Sequence, residues 1–179
     1  MKKKLLTYGF DLNSSKYNEI LNVAKDFNID VKNIEESDLN QKVGYLMGLA
    51  DYDEVKEEHN DKKDLEFLLF SDFDREDLSN FLITLRKLDI SIPHKSVITK
   101  MTKDWTFKEL LDHIEIEHRT MQKFNLLGQY VKKAREILET EENKELEMAV
   151  DKALELTKMN DITENDVDER FEIFKDILG

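Results

Sequence analysis

The sequence repeats one short pattern, and this repeat decides the fold. The first copy reads Leu5-Leu6-Thr7-Tyr8-Gly9-Phe10-Asp11, and the second reads Leu68-Leu69-Phe70-Ser71-Asp72-Phe73-Asp74, each an apolar run that ends in Phe-Asp. After each copy comes an amphipathic helical pattern, a short second apolar run and another amphipathic pattern. The offset between copies stays nearly constant as far as Leu46 and Leu110. The sequence therefore predicts two strand–helix–strand–helix copies.

The two copies are expected to share one small sheet. We place the first copy at residues 1–50, with strands at 4–8 and 31–34, and the second at residues 66–118, with strands at 67–70 and 96–99. A parallel β-α-β crossover is right-handed, and helices then cover the sheet. The predicted class is α/β with a four-stranded sheet, and α+β is the alternative. Strand order does not follow from the sequence.

Two further segments lie outside the copies. Residues 51–65 are polar and acidic without apolar periodicity, which indicates a solvated linker. Residues 119–179 are predicted to form a helical tail, made of a long helix and a helical hairpin. Its first helix carries a short heptad-like seam of Phe124, Leu127, Val131, Ala134 and Leu138. The tail either packs on the sheet or supplies a subunit interface.

Several helix starts carry capping residues. Asp74 is a good N-cap, and Thr106 with Glu109 matches a capping box. Asp166 stands at the capping-box position of the last helix, while Ser37 or Asp38 is expected to cap the second helix of the first copy. These caps predict where the helices begin.

Composition limits the classes of function. The net charge is −13, which disfavours binding to nucleic acid because the phosphate backbone requires cationic groups. Cysteine is absent, which fits a reducing compartment. The apolar run behind Met1-Lys2-Lys3-Lys4 is too short for a signal peptide, and no stretch approaches membrane-spanning length. We expect a cytoplasmic protein that binds neither nucleic acid nor membrane.

Known catalytic and cofactor motifs are absent from the sequence. It contains no dinucleotide-binding glycine pattern after a strand, no phosphate loop, no HExxH and no nucleophile elbow. Only 5 glycines occur, which argues against a backbone cradle for phosphates. No cofactor is predicted, and the sequence favours a non-enzymatic role.

One candidate ligand site lies at predicted strand ends. Asp11, Ser71, Asp72 and Asp74 follow the first and third strands. In open parallel sheets, ligands bind outside the carboxyl ends of the strands, so these side chains would converge if the two strands were neighbours. Such a carboxylate cluster would suit Mg²⁺ or a cationic ligand. The alternative is that Asp74, and Asp11 with it, only cap helices.

A second candidate is a metal site on one helix. His113, Glu115, Glu117 and His118 include one Glu-x-x-His pair and one pair a helical turn apart. Helical di-iron sites need a second such motif and two more carboxylates, which the sequence does not provide. The alternative is an ordinary charged helix surface, where imidazole and carboxylate neighbours are common.

Part of the second copy resembles a known family. The residues that carry the likeness are Phe67-Leu68-Leu69-Phe70-Ser71 with Phe73, Ile92-Pro93 with Lys95, and Asp104-Trp105-Thr106 with Glu109-Leu110-Leu111. In these elements the stretch 66–121 resembles the bacterial domain of unknown function 3783, and residues 4–47 are a weaker relative of it. The resemblance implies no activity, cofactor or catalytic residue.

Two functional hypotheses follow from these features. The first is a non-enzymatic interaction or regulatory module, which binds a protein partner or associates with itself through the apolar seam of the tail. The second is a domain that responds to a small molecule or a divalent metal, through the strand-end acids or the helix from His113 to His118.

Overall fold

The computed structural model describes residues 2–56 and 62–178. The strands are β1 (Lys4–Tyr8), β2 (Asp30–Ile34), β3 (Phe67–Ser71) and β4 (His94–Val97). The helices are α1 (Ser15–Asp26), α2 (Val43–Leu46), α3 (Arg75–Lys87), α4 (Phe107–Leu138), α5 (Lys144–Glu155) and α6 (Glu164–Leu178). The described chain divides into two compact units, up to His113 and from Ile114 onward. Within the described ranges, no helix has the length and apolar character needed to cross a membrane.

The sheet of the first unit confirms the predicted α/β class. Its strand order is β2-β1-β3-β4. The outer pairs β1–β2 and β3–β4 are parallel, and the central pair β1–β3 is antiparallel. Each half is therefore a β-α-β unit, and the two halves meet at the centre of one mixed sheet. That the halves arose by duplication stays a prediction.

The two central strands are buried on both faces. On one face, Leu5, Leu68 and Phe70 pack with Ile20 of α1 and Phe81 of α3, all of them buried. Burial of such side chains contributes roughly 1.5–3 kcal/mol each. This face forms the main core of the unit.

On the opposite face of the sheet, the core is aromatic. The rings of Tyr8 and Phe67 lie edge-on to Phe107 of α4, with ring centroids 5.9 and 6.0 Å apart from it. The continuous apolar runs seen in the sequence are explained by this double burial, because strands covered on both sides do not alternate.

A second antiparallel contact joins the two halves outside the sheet. Lys42 and Thr106 form a bridge just before α2 and α4. The N–H of Val43 donates to the Trp105 carbonyl, and the N–H of Phe107 donates to the Gln41 carbonyl, both at 2.9 Å. The helix entries of the two halves are therefore held against each other.

The second predicted helix of the first copy begins later than expected. Glu35 and Asp38 close a capping box around a single 3₁₀ turn at 36–38. The chain then enters the bridge with the segment before α4, and the α-helix starts at Val43 with Lys42 as its N-cap. The prediction of a cap at Ser37 or Asp38 is wrong, because pairing with the second half displaces the helix start.

The last strand also begins earlier than its apolar residues indicate. β4 spans His94–Val97 rather than 96–99, because its register with β3 places His94 opposite Phe67. Ile98 lies beyond the strand, although its N–H still donates to the Phe70 carbonyl at 2.9 Å. Hydrogen bonding to the neighbouring strand therefore outweighs the local apolar pattern.

The linker is anchored as well as solvated. Most described residues of 51–65 are exposed, as expected. However, the buried Gln41 side chain bonds both backbone groups of Val55, at 2.6 and 2.8 Å. The Tyr52 hydroxyl bonds the Asp104 carboxylate, which raises the pKa of Tyr52 to about 12. The segment is therefore anchored to the first unit at Tyr52 and Val55, while most of its described residues are exposed to solvent.

The second unit is helical, and its apolar seam is covered by the same chain. α4 runs without interruption through the predicted boundary at residue 118. Leu127, Val131 and Ala134 are buried in a core with Val150 of α5 and Phe174 of α6. The predicted long helix ends at Leu138, and the predicted helical hairpin follows as α5 and α6. The seam therefore packs against α5 and α6 of the same chain, and self-association through the tail stays a prediction.

An ion-pair group ties α4 to the start of α6. Arg119 donates two hydrogen bonds to the Glu164 carboxylate, from Nε at 2.7 Å and from Nη2 at 2.8 Å. The Lys123 ammonium lies 2.8 Å from the same carboxylate. Hydrogen bonds from Arg119, then Lys123, lower the pKa of Glu164 to about 2. The predicted capping box of this helix is also present, with Thr163 and Asp166 bonding each other's backbone N–H.

Two glycine substitutions should have opposite effects on stability. Gly9 has φ +76°, and an added Cβ would collide with the Leu65 carbonyl oxygen. We expect Gly9→Ala to destabilise the first unit by about 2 kcal/mol or more, since strain and collision act together. Gly128 lies inside α4 with nothing within 4 Å of an added Cβ. Gly128→Ala should stabilise the second unit by about 0.5–1 kcal/mol.

Urea denaturation separates the two effects. Trp105 is the only tryptophan and lies in the first unit, so its fluorescence reports unfolding there. Circular dichroism follows the helices of both units, so a change in it without a change in Trp105 fluorescence reports unfolding of the second unit. Equal behaviour of Gly9→Ala and wild type in Trp105 fluorescence would contradict the close approach of Gly9 to Leu65.

The Glu164 ion pairs should make the second unit sensitive to acid. Because the folded pKa is depressed, the stabilisation is fully present above the ordinary value of 4.5 and is lost as pH falls towards about 2. We expect Glu164→Gln to lower stability at neutral pH and to flatten the dependence of stability on pH over this range. Circular dichroism of urea unfolding at several pH values measures both changes.

The control for this experiment is Glu142→Gln, which removes a carboxylate at an exposed position after α4. The control should keep the wild-type slope over the same pH range. Parallel pH profiles for wild type and Glu164→Gln would show that the ion pairs contribute nothing to the folded state.

Candidate functional site

The antiparallel central pair separates the predicted strand-end residues. β1 and β3 are neighbours, but Tyr8 at the end of β1 pairs with Phe67 at the start of β3. Lys4 pairs with Ser71 at the other edge. Asp11 therefore lies at one edge of the sheet, while Ser71, Asp72 and Asp74 lie at the opposite edge. The expected convergence is wrong, because the strands run in opposite directions.

The group after β3 is engaged in local structure. Ser71 is buried, and its hydroxyl donates to the Asp72 carboxylate at 3.0 Å. Asp72 has φ +62°, which allows the sharp turn into α3. Asp74 caps α3 by accepting from the Asp77 N–H at 2.7 Å, and this bond lowers the pKa of Asp74. The predicted capping role of Asp74 is confirmed.

Asp11 lies at the rim of a cleft of about 610 Å³. The cleft is at the carboxyl ends of the parallel strands β1 and β2, the position where open α/β sheets bind ligands. It is lined by Tyr8, Gly9, Phe10, Asp11, Leu12, Asn33, Ile34, Glu35, Glu36, Ser37, Lys62, Lys63 and Asp64. We take this cleft as the candidate functional site.

The floor of the cleft is apolar and fixed by the sheet. Tyr8, Phe10 and Ile34 are buried, with exposed fractions of 2, 7 and 2%. Behind them, the buried Thr7 hydroxyl donates to Asn33 Oδ1 at 3.3 Å and lies 3.0 Å from the Tyr17 hydroxyl. A hydroxyl has a single proton, so Tyr17 is the donor to Thr7. Asn33 is thereby held in the wall of the cleft.

Two turns shape the rim. Asp11 Oδ1 accepts from the Asn13 N–H at 3.0 Å, and the Ser14 hydroxyl and N–H both bond the Asp11 carbonyl, at 2.7 and 3.0 Å. On the other side, the N–H of Glu35 donates to Asp38 at 3.0 Å. These bonds hold the backbone of the rim and leave the side chain of Glu36 exposed.

The end of the linker forms the third wall. The N–H of Lys63 donates to the Tyr8 hydroxyl at 3.0 Å, which fixes the linker against the floor of the cleft. The Lys63 ammonium bonds Asp112 of α4, a carboxylate outside the lining that also pairs with Lys108 at 2.8 Å. Lys62 lies 3.9 Å from Glu36.

Acidic groups dominate the rim. The lining contains four carboxylates, Asp11, Glu35, Glu36 and Asp64, and two lysines. Within residues 2–56 and 62–178, no salt bridge joins Asp11, Glu35 or Asp64 to a base. The cleft thus combines an apolar floor with a negatively charged rim. An arrangement of this kind can bind a cation and pack against an apolar group beside it.

Most of the lining was not predicted from the sequence. Asp11 is predicted as a strand-end residue. Asn33 lies within the second predicted strand, and Glu35 and Glu36 follow it directly, but these three were not predicted to line a site. Their location at or just after the end of a predicted strand is the sequence feature that could have identified them. Lys62, Lys63 and Asp64 lie in a charged segment whose sequence does not distinguish a wall from a solvated loop.

The helical metal candidate lies on α4. His113 is exposed and its ring meets Trp105 edge-on, with centroids 5.2 Å apart. His118 Nε2 lies 2.8 Å from Gln122 Nε2. Among the described residues, no group of three or more His, Asp and Glu is spaced to hold a metal ion. The four residues thus share a helix without forming such a group.

One comparison with known proteins gives a match. Residues 66–121 match the family model described as Domain of unknown function (DUF3783). The resemblance found in the sequence is confirmed for this segment, which is less than half of the chain. No curated protein and no solved structure matches.

The matched segment can be placed in the fold. It holds β3, α3, β4 and the first part of α4, so it supplies one half of the sheet. The lining of the cleft comes from residues before this segment. The family match therefore carries no information about the cleft.

A double-mutant cycle tests the bonds behind the cleft. Thr7→Val keeps the shape of the side chain but leaves Tyr17 and Asn33 without their hydroxyl partner, so we expect a loss of about 1–3 kcal/mol. Tyr17→Phe removes the other hydroxyl. Because the two groups bond each other, the double variant should lose less than the sum of the single losses, by about 0.5–1.5 kcal/mol.

Urea unfolding followed by Trp105 fluorescence measures each variant. Strict additivity of the two losses would contradict the bond between Thr7 and Tyr17, and with it the anchoring of Asn33.

Proposed function

We propose that this chain is a non-enzymatic binding module whose cleft takes a small organic cation. The observation that carries the proposal is the apolar floor under an acidic rim at the carboxyl ends of β1 and β2. Ligand sites are typically about 300–1,000 Å³, largely apolar, with a few polar groups that fix orientation. The cleft has this size, and it combines an apolar floor with a more polar rim than is typical.

The sign of the ligand charge follows from the rim. Four carboxylates face two lysines, and the Lys63 ammonium is held by Asp112 outside the lining. An anion would meet net repulsion, whereas an amine or guanidinium would gain charge-assisted hydrogen bonds to carboxylate oxygens. The acidic rim therefore supports a cationic ligand.

The spread of the carboxylates supports an organic cation over a bare metal ion. A metal ion requires ligands that converge on one point at short distance. Asp11 and Glu35 lie on turns that follow different strands, and Asp64 lies on the linker. A ligand with a cationic group and an apolar part would reach both the rim and the floor.

Ligand binding in this cleft also suits a regulatory role. The linker forms one wall, and the same linker is tied to α4 through the ion pair of Lys63 with Asp112. A ligand that contacts Asp64 would therefore act directly on this anchored segment. The proposal keeps the regulatory part of the first hypothesis, but without the tail seam.

Thermal unfolding of the full chain with defined probes tests the proposal. The probes are spermidine, arginine, choline and Mg²⁺, with inorganic phosphate as an anion. A ligand at about a hundred times its dissociation constant adds about 2.7 kcal/mol of stability, which moves the midpoint by several degrees. We expect at least one organic cation to raise the midpoint, more strongly at low salt because charges are screened less there.

Matched variants locate the effect. Asp11→Asn and Asp64→Asn each remove a rim charge with little change in shape, and we expect either to lose most of the shift. Asp26→Asn removes a carboxylate from an exposed position on α1 outside the cleft, and should keep the shift. The proposal fails if no organic cation raises the midpoint, if phosphate does so instead, or if all three variants respond like wild type.

A further inference from the structure

The helical hairpin of the second unit carries an apolar groove on its open side. One end is lined by Glu145 and Met148 of α5 with Asp176 and Ile177 of α6, and the other end by Glu155 of α5 with Glu169 and Arg170 of α6. The two helices are therefore antiparallel. The groove follows about three turns of α5, a length of roughly 15 Å.

The half of the groove next to Glu145 and Ile177 is apolar and open. A depression of about 260 Å³ is lined by Met148, Ala149, Ile173 and Ile177 among its residues. It meets a second depression of about 190 Å³ at Lys152 and Ile173. Met148 is 60% exposed, although it stands beside the buried Ala149. A flexible, exposed methionine in a groove is typical of surfaces that receive apolar side chains of a partner.

The charges around the groove are mostly negative. Its rim carries the acids Glu145, Glu155, Glu169 and Asp176 and the bases Lys152 and Arg170. Arg170 is already paired within α6, with Glu169 at 3.4 Å and Asp166 at 3.9 Å. A helical partner would thus meet apolar contacts in the half lined by Met148, Ile173 and Ile177, and mostly carboxylates around them.

We propose that this groove binds the apolar face of a basic amphipathic helix from another protein. Helices bind in such grooves through large side chains spaced by three or four residues. Basic flanking residues would pair with the carboxylates of the rim. A second copy of this chain is a poor occupant, because it carries a net charge of −13 and would add acidic groups to an acidic rim. This proposal is independent of the ligand of the cleft.

Fluorescence anisotropy with a designed peptide tests the groove. The probe is a labelled helical peptide of leucine and lysine, with leucines along one face, added to the full chain. The control peptide has glutamate in place of every lysine. We expect the lysine peptide to bind, to bind more weakly as salt rises, and the glutamate peptide not to bind.

A pair of variants separates apolar docking from general attraction of charges. Met148→Glu places a charge in the groove, whereas Met101→Glu makes the same change at a methionine of the first unit that is 66% exposed. Both variants make the chain more acidic, so nonspecific attraction of the peptide would increase in both. We expect Met148→Glu to weaken binding by about tenfold or more, as for a central interface residue. Met101→Glu should leave binding within about twofold of wild type, since substitutions outside the contact are nearly neutral.

Three outcomes would overturn the proposal: no binding of the lysine peptide, equal binding of the glutamate peptide, or equal affinities of the two variants. Analytical ultracentrifugation of the full chain adds a fourth. If wild type forms a dimer that Met148→Glu dissociates, the occupant of the groove is a second copy of the chain and not a basic helix.

Discussion

The antiparallel pairing of β1 with β3 is the contact on which the rest of the structure depends. Every residue of β3 and all but the first of β1 are buried, so this pair forms the centre of the core. It joins two β-α-β units that are each parallel inside. Because β1 and β3 are antiparallel, the carboxyl ends of the strands of one half lie at the opposite end of the sheet from those of the other half. One mixed sheet therefore has two places where a ligand site could form.

The two central strands can be predicted from the sequence, but whether they pair parallel or antiparallel cannot. Continuous apolar runs identify β1 and β3 as buried strands, and the caps at Asp74, Thr106 and Thr163 are correctly predicted, because a cap depends on residues within one turn. The direction depends on contacts between distant residues. A buried strand looks the same in either direction, and the linker between the halves is long enough for both. The predicted convergence of Asp11 with Asp72 rested on the missing direction.

In the helical tail, too, the sequence does not show which distant residues a predicted helix contacts. The heptad-like spacing correctly marks an apolar seam on α4, but such a seam fits a partner helix of the same chain as well as one of another subunit. Here Val131 and Ala134 pack against α5 and α6. Local spacing therefore predicts which face is buried without predicting what buries it. Part of the cleft is missed for a related reason, because Lys62 and Asp64 become lining residues only when the linker is fixed against Tyr8.

The difference between the two edges of the sheet shows which part of the chain makes the candidate site. Both edges offer the ends of a parallel strand pair. At the edge of β3 and β4, the polar groups are joined to each other, as in the bonds of Ser71 with Asp72 and of Thr99 with Thr102. At the edge of β1 and β2, the linker adds a wall that has no counterpart in the other half. The site thus depends on the segment that the two halves do not share.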